Sequence, residues 1–119
     1  MTYDLDLNDR PFKAIRVGTK KVEGRTPTDD DDAPYARVVA GDTINFTNIV
    51  SDEKMSCEVL FVRKYPDVRS MLEAEGTENV LSSGLDVEGG IKSYNSLEGY
   101  EENIKKFGIY AIGIKPIHE

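Results

Sequence analysis

The densest group of residues able to do chemistry is Gly18-Thr19-Lys20-Lys21-Val22-Glu23-Gly24-Arg25, a G-x-K-x-x-E-x-R pattern. Arg25 offers a planar fork that matches a phosphate or carboxylate, and Lys20 a point charge. Glu23 is able to hold one of these cations in place, or to accept hydrogen bonds from the amino edge of a base. In an extended chain side chains alternate, so Glu23 and Arg25 share a face with Lys21, while Lys20 and Val22 point the other way. Lys20 joins the cluster only if the chain turns between Gly18 and Lys20. A lysine acting as base or nucleophile also needs a depressed pKa, from burial or a neighbouring cation. Lys21 and Arg25 supply the cation, whereas Glu23 opposes the shift if it pairs with Lys20. Lys21, Arg16 and Arg63 are expected to help with phosphates. The competing reading is a Glu23–Arg25 surface ion pair, worth under ~1 kcal/mol.

Other chemistries find little support. The chain has no G-x-S-x-G elbow, P-loop, dinucleotide fingerprint or paired cysteines. Its one histidine, His118, is one residue from the end, so histidine-driven catalysis is not expected. The single Cys57 can make neither an intrachain disulfide nor a thiolate metal site alone, and its apolar neighbours read as those of a small buried thiol. Asp29–Asp32 are four consecutive carboxylates, but extended neighbours point to opposite sides and cannot all grip one ion. No metal site and no cofactor is expected. Base recognition would also use aromatic rings, since stacking contributes ~1–3 kcal/mol per base. Tyr35, Tyr65 and Tyr100 fall in or beside expected loops and are candidates to line a cleft. Tyr94 reads as core.

The elements that must position these residues follow from periodicity and punctuation. Tyr3, Leu5 and Leu7 alternate with polar residues as in a short edge strand. A basic amphipathic helix is expected at 10–17, with Asp9 as cap, Pro11 in its first turn and Gly18 ending it. An extended segment to Arg25 leads into a loop at 26–37, where two prolines and the self-repelling Asp run discourage regular structure. The runs 43–49 and 55–65 form the clearest hairpin, with Met55, Cys57, Val59 and Phe61 on one face and Leu60 and Val62 interrupting the other. Asp67 and Asp86 begin two further helices, the second carrying Val87, Ile91 and Tyr94. Between them 79–81 reads as a turn, and 101–106 as a last polar turn. The most apolar run, Gly108–Lys115, reads as a central strand.

The whole chain of 119 residues fits one domain, 1–119, with enough length for a core of its own. No apolar run approaches the ~20 residues of a membrane span. The start lacks a basic-then-apolar leader, so a soluble, cytoplasmic protein without membrane partners is expected. Net charge is −7, which argues against indiscriminate coating of nucleic acid. Yet between 10 and 25 six cations oppose only Glu23, a local charge of +5. Such a segment can receive an anion locally inside an otherwise acidic shell.

Taken with PFKAIRVGTKKVEGR, AGDTINFTN and KKFGIYAIGIK, the G-x-K-x-x-E-x-R pattern resembles the ASCH family of the PUA-like superfamily, over most of the chain. The resemblance implies an α+β fold: a small PUA-like mixed β-barrel of five or six strands with short flanking helices. It implies a cleft beside the motif, facing RNA or a modified nucleoside; Lys20, Glu23 and Arg25 are expected to bind there, with Lys21, Arg16 and Arg63 as phosphate helpers. Some small members resemble amidohydrolases that deacetylate N4-acetylcytidine, and others are similar to ribonucleases. In the amidohydrolase branch the lysine aligned with Lys20 is the catalytic candidate, a Thr stands at the place of Glu23, and a Glu lies farther along, for which Glu78 and Glu88 are both in range.

Overall fold

The computed structural model describes residues 1–27 and 34–117. The run Asp29–Asp32 and His118 lie outside the described residues. The chain is α+β. A five-stranded mixed sheet runs in the order β1 (Thr2–Leu7), β3 (Thr43–Asn48), β4 (Lys54–Tyr65), β5 (Ile109–Pro116), β2 (Val22–Arg25). β1 pairs parallel to β3, from Thr2 opposite Thr43 to Leu7 opposite Asn48. The other ladders are antiparallel. The sheet curls as a half-barrel, so β1 and β2 remain as its two edges. β5 is interior, as its unbroken apolar run predicts, but the middle strand is β4.

Helix α1 (Asp9–Val17) follows β1, and α2 (Val68–Glu75), α3 (Thr77–Val80), α4 (Val87–Asn95) and α5 (Tyr100–Phe107) fill the long connection between β4 and β5. None of the described helices is long and apolar enough to cross a membrane. Asp67 and Asp86 cap as expected, accepting from the backbone N–H of Ser70 and Gly89 at 2.8 Å each. At α1 the cap position belongs to Asn8 instead, and the Asp9 carboxylate accepts from the Asn48 side chain at 2.9 Å. The segment expected as a turn at 79–81 is the end of a short helix. The polar stretch at 101–106 is a full helix, held by the buried Ile104 and the partly buried Tyr100 packing onto the core.

Two cores lie on opposite faces of the sheet. The concave one gathers Phe12 and Ile15 of α1 with Ile44, Phe46, Cys57, Val59, Ile112 and Ile114. The other packs Val22, Ile109 and Ala111 under Met71, Leu72, Val80, Tyr94 and Ile104 of the helical layer. A bulge in β4 changes which core its residues serve. Val59 opposes Ile114 and Phe61 opposes Gly113, leaving Leu60 as the extra residue. Met55, Cys57 and Val59 therefore face the first core, whereas Phe61, expected beside them, turns to the second and Val62 takes its place. Gly113 is required opposite, because a Cβ there would run into the Phe61 ring.

A buried ionic triad at the open seam of the half-barrel

The turn needed to bring Lys20 to its partners exists. Gly18 adopts φ 89°, ψ 8°, a left-handed conformation open to glycine at little cost. The N–H groups of Gly18, Thr19 and Lys20 then all donate to the Ala14 carbonyl at 3.0–3.1 Å. This knot reverses the chain, and Lys20 enters the protein with only 4% of its side chain exposed. Its three ammonium protons meet three acceptors: the Val22 carbonyl at 2.8 Å, the Val80 carbonyl, and Glu23 Oε1 at 3.2 Å. The other carboxylate oxygen of Glu23 receives Arg25 Nε at 2.9 Å. Lys20, Glu23 and Arg25 thus form one chain of charges, with side-chain exposures of 4%, 9% and 15%.

Burial pulls the Lys20 pKa below the ordinary lysine value; Glu23 resists this and Arg25 adds to it. The cage of three acceptors fits the ammonium form, which has three protons to give. Burial also opposes the charge on Glu23, but Lys20 and Arg25 together hold its pKa below the usual carboxylate value. Burial likewise opposes the Arg25 charge, and Glu23 more than offsets it, so the guanidinium stays charged. Two cations share one anion, leaving the triad with one net positive charge.

The triad lies in a cleft of about 540 Å³ in the gap between the sheet's two edges. Asp6, Leu7, Asn8, Arg10 and Pro11, at the end of β1 and the start of α1, form one wall; Val80–Ser83 and the α4–α5 corner form the other. Arg25 spans the gap, donating from Nη2 to the Asp6 carbonyl at 2.6 Å. No hydrogen bond of its third nitrogen, Nη1, is found among the described residues, and the Arg25 side chain lines the cleft. Tyr94 and Tyr100 stack at 6.3 Å between centroids, 18° from parallel, and both line the cleft. Burial raises the pKa of both hydroxyls, that of Tyr100 to about 12, so both remain neutral donors. Gly24 admits Tyr94 to this place: a Cβ there would overlap the Tyr94 hydroxyl.

The structure therefore brings together Lys20, Glu23 and Arg25, and disperses the other residues expected with them. Lys21 is exposed ahead of β2, where its carbonyl accepts from Ile114 N. Arg16 is paired to Glu53 at 2.7 Å and lies over the Phe12 ring. Arg63 is bound by Glu75 at 2.8 and 3.0 Å and stacks on Phe61. Neither Glu78, exposed on α3, nor Glu88, paired to Arg69 at 2.5 Å, lines the cleft. Of the candidate tyrosines only Tyr100 does. Tyr35 packs on Tyr110, Tyr65 donates to Glu75 at 2.5 Å, and Tyr94 is both core and lining. The cleft adds Arg10, Glu98, Ser82, Ser83 and Ser93. Arg10 was visible as the residue before the helix-opening Pro11, but its role depends on how close the two sheet edges come. No local pattern singles out Glu98.

No protein-family model and no curated protein matches the chain. Among solved structures, the crystal structure of an ASCH protein, an S128A mutant from Zymomonas mobilis, superposes with a TM-score of 0.57 at 17% identity, covering 97% of this chain and 70% of that one. At that identity the match concerns the fold, which is ASCH-like and PUA-like. Two structures are nearer in sequence. The crystal structure of hypothetical protein PH0355 has a TM-score of 0.81 and 34% identity over 98% of this chain and 100% of that one. The solution structure of PF0455 from Pyrococcus furiosus has a TM-score of 0.76 and 34% identity, with 100% of both chains covered. Similarity of that extent along the entire length places the chain in one family with PH0355 and PF0455.

Proposed function

We propose that the cleft binds the base of a nucleoside, with Arg25 and Glu23 reading its edge. The observation that carries this reading is their placement side by side on the cleft floor. Arg25 Nη1 offers donors, and each Glu23 oxygen, although engaged, keeps acceptor capacity. A cytosine edge, with acceptors next to an amino donor, complements that pair. The Tyr94–Tyr100 stack supplies aromatic surface beside it. The charged groups lining the cleft balance, Arg10, Lys20 and Arg25 against Asp6, Glu23 and Glu98, which suits an uncharged base better than a phosphate. The ASCH-like fold is consistent with such a ligand.

Binding without turnover is the form this geometry supports. The protons of Lys20 are all committed to acceptors, so it presents no lone pair for attack or proton abstraction. Calorimetric titration with cytidine and uridine tests the reading. Cytidine is expected to bind, uridine more weakly, and Arg25→Lys to lower cytidine affinity at least tenfold while circular dichroism reports an intact fold. Equal binding of both nucleosides, or no binding, overturns it. Release of cytidine from N4-acetylcytidine, abolished in Lys20→Met, would replace it with a hydrolase.

A further inference from the structure

The charges lining the cleft fall into two groups. Lys20, Glu23 and Arg25 on its floor are engaged with one another. Arg10, Asp6 and Glu98 are exposed, and among the described residues none of these three side chains is in an ion pair or a hydrogen bond. Asp6 and Arg10 belong to the wall made by β1 and α1, and Glu98 to the α4–α5 corner opposite. We infer that this mouth is a subsite for the head group of an aliphatic α-amino acid, with its carboxylate on Arg10, its ammonium on Glu98 and its side chain against Leu97. The inference does not depend on what the floor binds.

Both walls hold these groups on fixed backbone. Arg10 stands in the first turn of α1, where the helix dipole disfavours a cation. Its own helix gives it no partner: the neighbouring Asp9 carboxylate goes to Asn48 and Lys13 instead, at 2.9 and 3.1 Å. Asn8, at the N-cap, makes no side-chain cap bond and lines the cleft as well. At the opposite corner Leu97 N donates to the Tyr94 carbonyl and Tyr100 N to the Leu97 carbonyl, each at 3.1 Å, and Gly99 turns the chain at φ 76°. That corner sets a 42% exposed leucine beside a carboxylate. Leu81 and Pro11 add apolar surface to the cleft, and Ser93 a hydroxyl able to donate or accept.

The ligand class follows from the charges. A lone anion would have Arg10 to hold it but would meet Asp6 and Glu98. A lone cation would leave Arg10 unmatched. An α-amino acid carries both charges on neighbouring atoms and is neutral overall, which agrees with the balanced lining of the cleft. The guanidinium fork matches its carboxylate, and a glutamate carboxylate accepts its ammonium protons. At about 540 Å³ the cleft exceeds what one base fills and lies in the range that holds larger ligands, so floor and mouth can be occupied together.

Calorimetric titration below pH 7, where the amine of L-leucinamide is still protonated, tests the subsite. It compares L-leucine with L-leucinamide, which lacks the carboxylate, with N-acetyl-L-leucine, which lacks the ammonium, and with glycine, which lacks the side chain. L-Leucine is expected to bind at least fivefold tighter than each of the three. Arg10→Gln is expected to abolish the preference over leucinamide and keep that over N-acetyl-leucine; Glu98→Gln is expected to do the reverse. Because each variant retains one preference, unfolding does not produce this pattern. Leucinamide binding tighter than leucine overturns the assignment in favour of a simple amine held by Asp6 and Glu98. No binding of leucine, equal binding of leucine and any of the three analogues, or both preferences intact in either variant, overturns the subsite. None of these results bears on the cytidine titration, which tests the floor separately.

Discussion

Glu23→Gln isolates the ionic triad, because it removes the one anion between two cations and changes little else in shape. Lys20 and Arg25 would then be left at 4% and 15% side-chain exposure without a carboxylate. Removing one partner from a buried pair costs ~3–5 kcal/mol. For a chain of this length, at ~4 °C per kcal/mol, the thermal midpoint falls by roughly 12–20 °C. The pH profile gives a second, independent signature. In the wild type Glu23 has a folded-state pKa below its unfolded value. Its stabilisation is therefore complete above the unfolded pKa and is lost as pH falls through the folded one. Glutamine carries no such loss, so the gap between the two proteins narrows in acid. At the other end the depressed pKa of Lys20 loses the opposing influence of Glu23 and falls further. The unfolded chain then binds more protons than the folded one between the two lysine values, and the variant gains stability as pH rises through that window. Chemical denaturation at several pH values measures all three effects. A loss below ~1 kcal/mol with parallel pH profiles would show that the three charges do not act as a buried unit.

Two further outcomes follow from close packing. Gly24→Ala places a methyl group against the Tyr94 hydroxyl and near the Met71 methyl carbon at 3.0 Å; a loss of ~1–3 kcal/mol by urea denaturation is expected, and a neutral result would mean that Tyr94 is not held against β2. Cys57 is fully buried with its thiol pKa pushed by burial up to about 12, so a thiol reagent at pH 8 should label the native protein far more slowly than the urea-unfolded chain, and equal rates would place Cys57 at the surface.

Much of this architecture was legible because the responsible signals are local. Asp67 and Asp86 open helices by capping them, Gly18 closes one by its left-handed backbone, and the alternation from Thr43 to Asn48 is a strand with one face buried and the other half-buried. The motif from Gly18 to Arg25 disclosed the charged floor of the cleft for the same reason: its three charges are within six residues. What escaped depends on contacts between distant segments. Helix α5 is polar on most of its surface, and only docking through Ile104 and Tyr100 reveals it as helix. Phe61 changes face because of an extra residue at Leu60, which no turn residue marks. Arg16 and Arg63 read as available cations until Glu53 and Glu75, 37 and 12 residues away, are seen to hold them. Arg10 and Glu98 reach the same cleft only because the sheet remains open between its first and second strands.

That opening, bridged by the bond from Arg25 to the Asp6 carbonyl, has a bearing on how ligand preference can change over generations. The side chain that would grip a ligand also fastens the two ends of the sheet, so a substitution there is screened for folding before it is screened for binding. Exposed positions such as Arg10, Ser93 and Glu98 carry no such double duty. Diversity among relatives should therefore accumulate around the mouth of the cleft while its floor stays fixed, giving a lineage in which new specificities arise by changing the doorway and never the foundation.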